Sequence, residues 1–98
     1  MPIIKLTSHN LDQRLKDIAS VILGGGVVLL PTDTIYGLSA LASNETAANR
    51  ILSLKERSGG KPFICLINSL EMAEDYAIIS PKCRKYLLAS WPGPVSVI

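Results

Sequence analysis

This chain has little of what membranes, zinc sites or disulfides require. Its longest apolar run, Gly26 to Leu30, is strand-sized and far short of the roughly 18–20 residues of a membrane-spanning helix. No secretory leader is read: Lys5 stands alone, and the first long segment is amphipathic and carries acids. The expectation is a cytoplasmic protein with no membrane partner. Only two cysteines occur, Cys65 and Cys83, with no Cys-x-x-Cys spacing and His9 as the single histidine. That argues against zinc, assigns no metal ligands, and leaves buried, reduced thiols as the expectation. Charge of one sign is scarce too, and a net charge of +2 does not by itself announce nucleic acid. Internal repeats, linkers and low-complexity segments are missing.

What is present fits one small domain over residues 1–98. Ninety-eight residues are too few for two independent cores, and 48% hydrophobic residues exclude a disordered chain. The charges are local. From Arg50 to Lys61 four cations (Arg50, Lys55, Arg57, Lys61) accompany one acid, Glu56. Glu71, Glu74 and Asp75 form an acidic patch, and Lys82, Arg84 and Lys85 a second basic one. Solvated faces are the ordinary reading of such runs.

Ile3 to Leu6 reads as a short strand. Asn10, with Gln13 in the capping-box position, starts a helix whose Leu11, Leu15, Ile18, Ala19 and Ile22 recur at helical spacing and predict one buried stripe. Gly24-Gly25-Gly26 ends it. This glycine run follows a helix and opens a strand, the reverse of a phosphate loop, so it reads as a turn. Val27 to Leu30 shows no polar alternation and predicts a strand buried on both faces, ended by Pro31. Thr32, Asp33 and Thr34 then leave its carboxyl end, where open α/β sheets bind ligands. Asp33 or Thr34 could equally cap a helical turn through Leu38, and the two roles can coexist.

Ser43 or Asn44 caps the next helix, with Glu45 near its positive end and Ala47, Ala48, Ile51 and Leu52 on its apolar face. At 100° per residue Lys55 falls about 40° from Ile51, so its ammonium must snorkel outward or meet an anion. Ser58-Gly59-Gly60 is a turn. Gly60-Lys61 is not a Walker loop, because Pro62 replaces the Ser/Thr and no glycine stands five before Gly60. Phe63 to Ile67 predicts a second apolar strand. Ser69 caps a helix through Tyr76, Pro81 opens one through Ser90, Trp91-Pro92-Gly93-Pro94 makes a rigid turn, and Val95 to Ile98 begins a strand. Alternating strands and helices predict a mixed or parallel sheet.

Three segments carry a family resemblance: Pro31-Thr32-Asp33-Thr34-Ile35-Tyr36-Gly37-Leu38, then Lys55-Glu56-Arg57 with Lys61-Pro62, then Trp91-Pro92-Gly93-Pro94. In this order the chain resembles the YrdC-like family, the threonylcarbamoyl-AMP synthases, from about Leu11 to Ile98. That span matches about the first half of the family's domain. The resemblance implies an α/β fold, a twisted mixed parallel/antiparallel sheet with flanking helices around a wide positive cavity, truncated here at its carboxyl end. It implies a nucleotidyltransferase that condenses L-threonine, bicarbonate and ATP into threonylcarbamoyl-adenylate and releases pyrophosphate. Other tRNA-modification proteins then pass the group to an adenosine beside the anticodon, and some members bind double-stranded RNA.

Matched residue by residue, Thr34, and with it Thr32, falls on the threonine-binding motif. Lys55 and Arg57 match the basic pair facing the nucleotide, where they are the expected catalytic groups. Lys61 matches a position that helps hold the phosphates, and Ser96 keeps a nucleotide-side hydroxyl where many members have threonine. ATP enters as substrate, with Mg²⁺ expected to bridge its phosphates and Asp33 as a water-mediated contact. A carbamate carboxylate attacks the α-phosphorus, so positioning and charge stabilisation carry the work, with Arg57 as a bidentate grip and the lysines as point charges.

This chain departs from the family pattern in three places. Leu66 replaces a polar contact found in some members. Ser58-Gly59-Gly60 replaces a proline-bearing turn. A Ser-x-Asn element completing the nucleotide site lies beyond Ile98, so synthase activity is expected of the intact protein. The alternatives are a double-stranded RNA or tRNA-binding module tracking phosphates with its basic patches, and an inactive half-domain that pairs an open sheet edge with a second copy as a homodimer.

Overall fold

A computed structural model of the chain describes residues 2–56 and 62–98. The elements in order are α1 (Leu11–Leu23), β1 (Val28–Pro31), β2 (Tyr36–Ser39), α2 (Glu45–Leu54), α3 (Leu70–Tyr76) and α4 (Pro81–Ser90). The fold is mixed α/β, with four helices and a two-stranded antiparallel sheet among the described residues. The chain divides into two compact units, Met1–Lys61 and Pro62–Ile98.

In the first unit α1 closes on the glycine run as the sequence predicts. Gly25 takes φ 89°, Gly25 N–H donates to the Ile22 carbonyl and Gly26 N–H to that of Val21, at 3.0 and 2.9 Å. This is the paired bonding of a glycine-ended helix, which satisfies carbonyls that would otherwise be orphaned. The start differs from expectation. The Asn10 side chain makes no cap bond into the helix; it accepts from Thr7 N–H and donates to the Lys5 carbonyl, while Gln13 reaches Asp17. The predicted buried stripe is also corrected, since α1 buries no residue fully. Leu11 and Leu15 are 41% and 49% exposed, Ile18 and Ile22 are half-buried, and the helix touches β1.

The second correction concerns β1. It is not a strand buried on both faces; Val28 and Leu30 are half-buried while Leu29 and Pro31 are exposed. Its partner is β2, in the register Val28↔Ser39, Leu29↔Leu38, Leu30↔Gly37 and Pro31↔Tyr36. The segment through Leu38 is therefore strand and not a capped helical turn. Gly37 disfavours helix, and a hairpin closes the ladder with only local chain. Downstream, α2 is capped by Asn44, whose Oδ1 accepts from Ala47 N–H at 3.0 Å, with Glu45 in its first turn. Ala47 and Ile51 are its buried residues, 1% and 5% exposed.

In the second unit α3 and α4 pack through Ala73 and Leu87, 6% and 2% exposed. Ser69 and Ser80 cap them by accepting from Met72 and Cys83 N–H, and Pro81 stands where its missing amide costs nothing. Arg84 ion-pairs with Glu74 across the two helices. The strands predicted at Ile3–Leu6, Phe63–Ile67 and Val95–Ile98 do not form; each of these segments has no ladder partner among the described residues. Cys65 is accordingly exposed where a buried thiol was expected, and Cys83 is half-buried; both are free.

Candidate functional site

The first motif forms the turn of the β1–β2 hairpin. Thr32 N–H donates to the Ile35 carbonyl at 3.2 Å, leaving Asp33 and Thr34 as the tip. The Thr32 hydroxyl donates to that same carbonyl and accepts from Thr34 N–H at 3.3 Å. The two threonine hydroxyls stand 3.4 Å apart. Thr32, Asp33, Thr34, Ile35 and Tyr36 are all exposed, so the turn presents a hydroxyl pair and a carboxylate to solvent. A Cβ at Gly37 would make only ordinary contact with Thr32 Cγ2, at 3.7 Å, so space beside the turn does not demand glycine there. Sequence reasoning missed Ile35, whose carbonyl closes the turn twice. Every residue carries a carbonyl, so no residue type could have announced that role.

Lys55 is the last residue of α2's cap, with φ −89° and ψ −2°, its N–H donating to the Ile51 carbonyl. Its side chain is exposed although Ile51, one turn back, is buried, as snorkelling requires. Among the described residues no hydrogen bond or ion pair engages its ammonium, and none joins it to the hairpin tip. Glu56 follows at φ 51°. Arg57 and Lys61, the other cations of the motif, lie outside the described residues, as does the Ser58-Gly59-Gly60 turn.

In the second unit the Trp91-Pro92-Gly93-Pro94 turn is closed by its own indole, which donates from Nε1 to the Val95 carbonyl at 2.8 Å. Gly93 leaves no room for a side chain, since a Cβ would meet the Ser90 carbonyl oxygen at 2.8 Å. Ser96, just beyond, is exposed. Back in the first unit, an open groove of about 900 Å³ runs along β1, lined by Ile4, Leu6, Val21, Leu29, Leu30 and Tyr36 among others. It is mainly apolar, its charged lining residues are Lys5 and Asp17, and Lys55 does not line it, so it does not suit a phosphate chain. No group of three His, Cys, Asp or Glu side chains converges as a metal site among the described residues. No helix of the described residues is long and apolar enough to cross a membrane.

The hairpin, helix end and aromatic turn follow one another in a pattern that can be matched against known proteins. The Sua5/YciO/YrdC family model, described as telomere recombination, matches residues 20–98. The chain belongs to this family. Similar proteins include the threonylcarbamoyl-AMP synthase of Nitrosococcus oceani, 36% identical over 85% of this chain and 45% of that relative. That of Hahella chejuensis is 40% identical over 79% of this chain and 42% of its own length, and that of Xylella fastidiosa strain M12 34% identical over 82% and 44%. The chain thus spans under half the length of these curated relatives. No solved structure matches it. The matched stretch holds the hairpin tip and the Lys55 helix end, in the first unit, and the Trp91-Pro92-Gly93-Pro94 turn, in the second.

Proposed function

We propose that this chain supplies the amino-acid-binding and first nucleotide-binding elements of a threonylcarbamoyl-AMP synthase. The single observation that carries the reading is the match to proteins of that name over 79–85% of the chain, with the threonine-bearing turn held open to solvent. In this reading the L-threonine amine condenses with bicarbonate, losing water, to give a carbamate whose carboxylate oxygen attacks the α-phosphorus of ATP. The bond from that phosphorus to the bridging oxygen breaks, and pyrophosphate leaves. Thr34 meets the amino acid. Lys55 and Arg57 face the phosphates as the catalytic cations, Lys61 assists them, and Ser96 adds a hydroxyl on the nucleotide side. The developing charge on the phosphorane and on pyrophosphate is what these cations stabilise, each well-aimed donor contributing about 3–4 kcal/mol.

Mg²⁺ would enter with the nucleotide, and Asp33 would meet it through water. The finer fold belongs to the same proposal: β1 and β2 join the twisted mixed sheet of the family. The product's threonylcarbamoyl group passes to tRNA through partner proteins in the cytoplasm. The deciding assay is pyrophosphate release from ATP and bicarbonate, with and without L-threonine, by the intact protein. Release that depends on L-threonine supports the reading; release indifferent to it, or none, ends it. A second reading, an RNA-binding module, draws on Lys82 and Lys85, both exposed on α4 beside Tyr86. Its signature is binding that falls steeply with salt and ignores L-threonine.

A further inference from the structure

The two hairpin threonines have different work, and their hydrogen bonds separate them. A threonine hydroxyl has one proton to give and two lone pairs to receive. Thr32 spends its proton on the Ile35 carbonyl and receives Thr34 N–H at 3.3 Å. Its remaining lone pair faces Thr34 Oγ1 at 3.4 Å, and with the Thr32 proton already committed, Thr34 must be the donor in that contact. Thr32 is thereby saturated inside the turn. Thr34 keeps two lone pairs, on an exposed residue at the tip.

We propose that Thr32 is a positioning residue that holds Thr34 in its ligand-facing pose and itself makes no contact with the amino-acid substrate. A ligand group that meets Thr34 Oγ1 while this arrangement stands is therefore a donor, an N–H or O–H of the amino acid, and not its carboxylate. The inference rests on the proposed assignment of Thr34 to the substrate and divides the labour within that site.

The test uses the isosteric Thr32→Val, the conservative Thr32→Ser, Thr34→Val and the double Val variant. Two readouts are taken: amide hydrogen exchange followed residue by residue, and L-threonine titrated as the ligand. Thr32→Val should lose protection at the Thr34 amide while amides of α2 keep their rates, and should weaken L-threonine binding about three- to tenfold. Thr32→Ser should restore both. In the Thr34→Val background, adding Thr32→Val should cost nothing more, because a positioning residue has nothing left to position. A further loss in the double variant would show that Thr32 touches the ligand and would overturn the proposal, as would unchanged Thr34 exchange in Thr32→Val. L-threonine binding that survives Thr34→Val overturns instead the assignment of the site, and the exchange result then decides the role of Thr32 by itself.

Discussion

Replacing Lys55 by alanine separates chemistry from folding at one position. The side chain is exposed at the end of α2 and engages no partner among the described residues. Its removal forfeits a cation near the negative end of the helix, about 0.3–1 kcal/mol, partly offset by the better helix propensity of alanine. For a chain of this size that amounts to a fall in Tm of a few degrees at most, about 4 °C. One turn earlier, Ile51 is 5% exposed, and Ile51→Ala should cost about 2–5 kcal/mol and lower Tm by about 10 °C or more. If the ammonium meets the phosphates, Lys55→Ala loses about 3 kcal/mol of transition-state stabilisation, roughly a hundred- to a thousandfold in L-threonine-dependent pyrophosphate release. The assay pairs that rate, in the intact protein, with thermal melts of both variants. A Lys55→Ala protein that melts like Ile51→Ala, or that keeps its rate within about twofold, would refute the reasoning. Arg57→Ala should behave as Lys55→Ala does, active-site loss without a comparable loss of Tm.

Three further outcomes test the scaffold. Asn44→Ala removes the acceptor of Ala47 N–H and should destabilise the first unit by about 1 kcal/mol, read as a shifted urea midpoint with an unchanged slope. Gly26→Ala puts a Cβ 2.8 Å from the Val21 carbonyl and 2.5 Å from its Cγ1, so a loss of about 1–3 kcal/mol is expected, and a variant as stable as the parent would show that the turn is formed differently. Trp91→Phe keeps the ring but removes the donor to the Val95 carbonyl; denaturation followed by circular dichroism should show about 0.5–1.5 kcal/mol lost, and an unmoved midpoint would mean that bond is absent in solution.

Helices were the legible part of this fold because their signals are local. Asn44, Ser69 and Ser80 cap as their residue types demand, and the three glycines close α1 where a left-handed residue was needed. Asn10 shows the limit: its amide found nearer partners at Thr7 and Lys5, and nothing in its residue type decides between backward and forward bonds. Strands were harder to read. Composition states what one segment tolerates, whereas a ladder is a relation between two, so Phe63 to Ile67 can look like a strand and have no partner among the described residues. Tyr36 to Ser39 erred the other way, since pairing with β1 through a short turn outweighed the helical reading. Of the site, the threonine pair was legible as chemistry but not as geometry, because which hydroxyl is spent within the turn depends on a backbone carbonyl.

Glu56 carries a consequence for the exit from α2. At φ 51° its β-carbon crowds the adjoining carbonyl, at a cost of roughly 1–2 kcal/mol for an L-residue. A mirror-image glutamate placed there by chemical synthesis would relieve that crowding and keep the carboxylate, so the peptide should gain stability with its charge pattern intact. Glycine would also relieve it, but would add freedom to the unfolded chain and delete the acid beside Lys55. At this one residue, stereochemistry outweighs side-chain identity in deciding how the chain leaves its second helix.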